Sequence, residues 1–241
     1  MGRVVKPEIY QARRNEILDV AQRLVMLTKG YTNTTVQDIL DELHISKGAF
    51  YHYFASKQAL LEALIDRLAA EATPMLVEIV SDPDLPALEK LHLFFEKIAR
   101  WKTERREYLM TLLDVWYADE NAILREKLRS TMPERYAPLL TKVVRQGIEE
   151  GVMTPAYPDQ IGGVVLYLLY DMGYDFACLL RQAAADPMAA ERALQTSAAY
   201  NDAIERVLGA PRGSVTVIDP VTIHTWFDPV LVLAHPPPLN A

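Results

Sequence analysis

The sequence is poorest in the groups that build covalent or metal-held structure. It contains one cysteine, Cys178. A single thiol forms neither an internal disulfide nor a cysteine-rich zinc site. Histidine is scarce as well: His44, His52, His92, His224 and His235 are the full set. No Ser/His/Asp order, phosphate-cradling glycine loop or His-Glu-x-x-His appears. Catalysis, a bound metal and a cofactor are therefore not expected. Met1–Tyr10 carries Arg3, Lys6 and Glu8 and lacks an apolar core segment, so it does not read as a signal peptide. The most apolar stretch, Ile161–Leu180, is interrupted by Asp171, Asp175 and three glycines. It reads as a buried helix rather than a membrane span. A soluble cytoplasmic protein with no membrane partner is the expectation.

Net charge is −7, from 25 Lys and Arg against 32 Asp and Glu. Its distribution is uneven. The first 60 residues hold eight basic and six acidic side chains, and the rest hold 17 and 26. A mildly basic head on an acidic body suits docking on phosphate by the head alone.

The apolar pattern is helical throughout. Ile17, Val20, Ala21, Leu24 and Val25 recur at helical spacing and predict a helix from about Pro7 to Thr28. Thr34 or Thr35 caps a short helix ending near Leu43, and a second short helix starts at Ser46. Ser56 caps a long helix with Leu61, Leu64, Ile65 and Leu68 on one face. The turn-rich segment 81–86 is a break expected to part head from body. Helices are then predicted near 86–102, 104–118, 120–151, 159–184 and 187–208. Pro133 and Pro138 are expected to kink or split the third of these. From Ser214 the pattern changes: Val215–Ile218 is strand-like and the end is proline-rich. The fold class is all-α. A head spans residues 1–58, a helical body 59–210 and an extended tail 211–241, whose Trp226, Phe227 and Leu231 are candidates to dock on the body or on a second subunit.

Two short helices joined by about three residues, at 34–57, make a helix-turn-helix, whose second helix fits the major groove. Val36, Ile39, Leu40, Leu43 and Ile45 fill the space between them. Phe50 and Phe54, four apart, face inward. Lys47, Gly48, Ala49, Tyr51, His52 and Tyr53 are left to face DNA. Lys47 suits a phosphate or a guanine edge, and Ala49 a thymine methyl. Gly48 allows close backbone approach. Tyr51 and Tyr53 suit phosphates, which set register. His52 suits a base or a phosphate. Lys57, in the first turn of the next helix, joins a site where backbone amides favour an anion. With Thr34, Thr35 and Ser46 these form the candidate DNA face.

At these residues the stretch resembles the DNA-binding signature of the TetR family of repressors. The register holds over Thr34-Thr35, Asp38-Ile39, Ser46-Lys47-Gly48, Phe50-Tyr51-His52-Tyr53-Phe54 and Ser56-Lys57. One departure stands out: the family's usual Ala-Gly in the turn is here Leu43-His44. Histidine is among the residues that tolerate a positive φ, so the turn is expected to form.

The resemblance implies a body that dimerises through its last two helices, here 159–184 and 187–208, and holds a small-molecule effector. It also implies a palindromic double-stranded operator, bound by the dimer and released by effector. The composition of 159–184, apolar nearly all round, agrees with burial on more than one side. Effector-site candidates are Trp101, Tyr108, Met110, Asp114, Trp116, Tyr117, Tyr136, Tyr167, Tyr170 and Asp171, with Met132 beside them. Asp171 lies in the most apolar helix among tyrosines, and a buried carboxylate needs a partner. A cationic effector is one such partner, a polar pair within the interface is another, and plain solvent exposure of Asp171 is the third reading. The effector is expected to be lipophilic, and aromatic or cationic. Two other readings are a helical enzyme and a DNA-binding protein without a ligand.

Overall fold

The computed structural model describes residues 7–27 and 32–228; the side chains of Met26, Leu27, Asp114 and Glu120 fall outside that description. Leu231 and the prolines 236–238 also lie outside the described residues. Among the described residues ten α-helices run in chain order: α1 Pro7–Leu27, α2 Val36–Leu43, α3 Lys47–Tyr53, α4 Lys57–Ser81, α5 Ala87–Glu104, α6 Arg106–Tyr117, α7 Ala122–Glu149, α8 Ile161–Gln182, α9 Ala189–Leu208 and α10 Pro220–Trp226. One 3-10 turn, Asp119–Asn121, precedes α7. No strand occurs among the described residues. The expected all-α class is what is found, and Val215–Ile218 is not a strand.

The chain forms two compact units. Among the described residues, one comprises those up to Glu71 together with Met110–Ala118, and the other Ala72–Leu109 and those from Asp119 on. The division falls inside α4, in which Pro74 lies without ending the helix.

The first unit is organised around one core. Ile17, Leu18, Val20 and Ala21 from α1, Ile39 and Leu40 from α2, Phe50 and Phe54 from α3, and Leu60, Ala63 and Leu64 from α4 are buried together. Each helix contributes residues three or four apart, the stripe that an amphipathic helix turns to a core. Arg67 of α4 ties back to α1, donating to Asp19 at 2.6 Å and to the Leu18 carbonyl at 3.3 Å.

In the second unit α7 runs from Ala122 to Glu149 as one element, with Pro133 and Pro138 inside it, so the expected split does not occur. α8 packs on α7, where Gly162 permits close approach: a Cβ there would meet the Ala137 carbonyl oxygen at 2.5 Å. α9 packs on α8 and ends at Gly209, in the left-handed region at φ 59°. Glu150 reaches the start of α5 and accepts the Ala87 N–H at 2.9 Å, capping a helix whose own cap position is Pro86. Lys90 is buried and satisfied by the Val80 carbonyl at 3.2 Å and Gln146 Oε1 at 2.6 Å.

The segment after α9 is not wholly extended. Asp219 caps α10 by accepting the Thr222 N–H at 2.9 Å, with Pro220 at the first helical position. Val215, Val217, Ile223 and Phe227 are buried, so this segment docks on the body of its own chain.

α8 is long and apolar enough to cross a membrane by length and composition, with 22% of its apolar window buried. α7 and α9 cover two sides of it, and Val164, Tyr167 and Tyr174 are exposed in the protomer.

Candidate nucleic-acid interface

Thr35, and not Thr34, starts α2. Its hydroxyl oxygen accepts the Asp38 N–H at 3.1 Å, and Asp38 Oδ2 accepts the Thr35 N–H at 2.7 Å. This reciprocal box satisfies two donors that a helix start leaves open. The Thr35 hydroxyl also donates to Asp38 at 2.8 Å. These bonds, aided by Lys57 nearby, hold the Asp38 carboxyl below the usual carboxylate range.

The turn that aims α3 closes α2 in a two-bond pattern. His44 sits at φ 51°, ψ 43°, the left-handed region. Its N–H donates to the Asp41 carbonyl at 3.3 Å, and the Ile45 N–H to the Leu40 carbonyl at 3.0 Å. That is the Schellman arrangement, with Ile45 and Leu40 supplying its apolar contact. The turn expected at Leu43-His44 therefore forms with histidine where glycine is usual. Ser46 then caps α3, accepting the Ala49 N–H at 3.2 Å.

Phe50 and Phe54 are fully or almost fully buried, at 0% and 2% exposure. Ser46, Lys47, Gly48, Tyr51 and His52 are exposed on the opposite side, and Ala49 is half-buried beside them. The Lys47 ammonium stands 6.0 Å from the Tyr51 ring centroid. Lysine, glycine backbone, tyrosine hydroxyl and imidazole thus share one exposed surface, a set of donors able to meet phosphates and base edges.

One candidate needs correction, and three are engaged within the head. Thr34 is buried at 2% exposure, so its side chain is shut away from that surface. Tyr53 packs on the head core and against Tyr10, with ring centroids 4.8 Å apart, and is only half-buried. Lys57 donates to the Thr32 carbonyl at 3.3 Å, fastening the segment before α2. Thr35 is exposed, but its hydroxyl hydrogen is committed to Asp38. Tyr10 and Arg14 of α1, absent from the expected face, reach α3: the Arg14 guanidinium lies 5.1 Å from the Phe54 ring centroid. The only hint in the sequence was an aromatic residue in the first turn of a polar-looking helix.

The effector candidates are divided between the units. Met110, Trp116 and Tyr117 are half-buried in the first, where the Asp114 side chain lies outside the described residues. In the second, Tyr108 is buried and Trp101, Met132, Tyr136 and Tyr170 are half-buried. Tyr136 shares a hydrogen bond with Thr73 at 3.3 Å, and the Tyr170 hydroxyl donates to the Arg125 carbonyl at 3.4 Å. Asp171 is exposed rather than buried, and its cation comes from the chain itself. Arg129 lies 3.9 Å from its carboxylate and 5.3 and 5.7 Å from the Tyr167 and Tyr170 ring centroids. No external cation is needed there. Within the second unit a groove of about 850 Å³ runs along α7 between Pro83, Lys142 and Asp159, and none of the candidates lines it. Among the described residues no cluster of three or more His, Cys, Asp or Glu suits a metal ion.

Comparison with known proteins agrees with this geometry. A family model described as bacterial regulatory proteins of the tetR family matches residues 17–64. An uncharacterised helix-turn-helix transcriptional regulator of Lactococcus lactis is 44% identical over 61 residues, covering 24% of this chain and 31% of its own length. The chain thus spans about a third of that relative. The repressor KstR2 of Mycobacterium tuberculosis is 29% identical over 148 residues, 60% of this chain and 70% of its own. A solved TetR-family regulator from Pectobacterium atrosepticum shares the fold with a TM-score of 0.60 at 19% identity, over 87% of this chain and 100% of its own.

Proposed function

Because the chain belongs to the TetR family of transcriptional regulators, we propose that it is a dimeric repressor, holding palindromic operator DNA until an effector binds. Members of this family are non-enzymatic DNA-binding proteins, so the helical-enzyme reading falls away. The observation that carries the proposal is the division of α3 into two faces. Phe50 and Phe54 are spent on the core, and Lys47, Tyr51 and His52 stand outside it. A capped two-turn helix presented this way fits the major groove, with its N-terminal residues at base edges. Ser46, Lys47, Gly48, Ala49, Tyr51 and His52 are the proposed contacts, and Tyr53 and Lys57 flank them.

A palindromic operator suits a two-fold symmetric protein, and the uncovered apolar side of α8 favours symmetric pairing through α8 and α9. The effector is proposed to be lipophilic and aromatic, since Trp101 and Tyr108 of the second unit are aromatic side chains drawn at least partly inside. With Asp171 exposed and paired to Arg129, the case for a cationic effector lapses. Cytoplasmic residence follows from the proposed work on DNA.

The test is to select bound fragments from genomic DNA and measure binding to the best of them. Lys47→Ala and Tyr51→Ala are expected to abolish retardation while leaving the oligomeric state unchanged. Retardation with wild-type affinity in both variants would refute the assigned surface. Compounds handled by the products of neighbouring genes are then tested for release; if none relieves binding, the ligand-independent reading gains.

A further inference from the structure

We propose that Tyr10 is a positioning residue for DNA reading, holding the exposed side of α3 so that His52 meets the operator in a fixed orientation. The inference rests on the DNA-binding reading above.

α3 has seven residues, Gly48 among them, and so short a helix does not hold its shape by itself in water. Its inner side is anchored by Phe50 and Phe54 and its start by the Ser46 cap. Its last turn is gripped from outside by α1. The Tyr10 ring lies 4.8 Å from the Tyr53 ring at 36°, and 5.6 Å from the His52 imidazole at 79°. His52 and Tyr53 close the triangle at 5.1 Å and 82°. Two of these contacts are edge-to-face, the arrangement ring quadrupoles favour. One turn further along α1, Arg14 stands over the Phe54 ring. One face of α1 therefore engages three successive aromatic residues at the end of α3.

His52 is exposed, and an exposed side chain loses rotamer freedom when it docks. A ring already packed between two others has surrendered that freedom before DNA arrives. Tyr10 thereby favours binding through His52. The described contacts of Tyr10 use its ring rather than its hydroxyl, so phenylalanine is expected to serve equally.

The experiment uses the full chain and the selected operator fragment, with fluorescence anisotropy at a temperature where every variant is folded by circular dichroism. Tyr10→Ala is expected to weaken binding by roughly tenfold, and Tyr10→Phe by less than about twofold. In a His52→Ala background the further loss from Tyr10→Ala shrinks to about twofold or less. A purely structural role for Tyr10 gives additive losses in the two backgrounds and overturns the proposal. Wild-type affinity of Tyr10→Ala, with Lys47→Ala inactive, overturns it while sparing the interface reading. Wild-type affinity of Lys47→Ala and Tyr51→Ala removes both.

Discussion

The indole N–H of Trp226 donates to the Thr103 hydroxyl oxygen at 2.9 Å, across 123 positions of sequence. Thr103 passes its own hydrogen to the Ala99 carbonyl at 2.8 Å, so the hydroxyl is used in both roles. Arg106, at the start of α6, donates to the Trp226 carbonyl at 3.0 Å and lies 5.7 Å from its ring centroid. The Phe227 ring stands 6.1 Å from Phe176 of α8, and Glu205 of α9 accepts the Val215 N–H at 3.0 Å. The segment after α9 thus stitches α5, α6, α8 and α9 within the second unit. Trp226→Ala is expected to lower stability by about 2–4 kcal/mol, since it removes a half-buried aromatic, its ring contact with Arg106 and its bond to Thr103. Trp226→Phe keeps part of the packing and falls between. Urea unfolding measures both; a Trp226→Ala midpoint equal to wild type shows that this docking adds nothing.

Acid is expected to weaken both units through carboxylates that act as helix caps. Asp38 is held below its ordinary value first by the Thr35 backbone bond, then by the Thr35 hydroxyl and Lys57. Glu150 is held low first by the Ala87 N–H, then by Gln146. A carboxyl whose folded pKa is depressed stabilises above its unfolded value, about 4 for these groups. That contribution is lost as pH falls through the folded value. Stability is expected to fall below about pH 4, and Asp38→Asn and Glu150→Gln each to flatten the fall. An unchanged slope in both variants tells against this linkage.

His44 tests the turn directly. Its φ of 51° is a conformation that costs an L-residue roughly 1–2 kcal/mol relative to glycine. His44→Gly is expected to raise stability by up to about 1 kcal/mol, after the extra freedom glycine has when unfolded. His44→Val, branched at Cβ, is expected to lower it. Thermal unfolding of the two variants settles the sign, and a stabilising valine would contradict the strain.

The two-faced α3 was legible because local rules agree there. Caps at Ser46 and Ser56, a four-residue aromatic spacing and a turn of fixed length all point to one geometry. The span of α7 was legible as well but its continuity was not, because nothing local says whether Pro133 and Pro138 end a helix that neighbours hold in place. α10 escaped notice too: Asp219-Pro220 is a start signal, but the seven residues after it are too few to show a period. Thr34 and Thr35 stood equal as caps, and only the reciprocal bond with Asp38 separates them. At Asp171 the sequence left burial and exposure both open: composition marks its helix as apolar, but the turn carrying Asp171 is exposed and finds Arg129.

That outward face carries the last expectation. Val164, Tyr167, Asp171 and Tyr174 follow one another three or four residues apart and are all exposed, so they form one stripe along α8. α8 is held to α9 on another side, where the Tyr200 hydroxyl donates to Asp175 at 2.9 Å and burial with that bond pushes the phenol up to about 12. A stripe with 3.5-type spacing is what a symmetric helix pair covers, and stable pairs bury about 800 Å² per partner. The wild-type chain is expected to sediment as a dimer at micromolar concentration. Val164→Lys places a charge at the N-terminal end of the stripe without touching the buried side of α8. It is expected to yield monomer with unchanged helicity. Operator affinity then drops by at least tenfold, because two linked heads no longer bind as one. A wild-type monomer, or a Val164→Lys dimer of undiminished strength, would place the interface elsewhere.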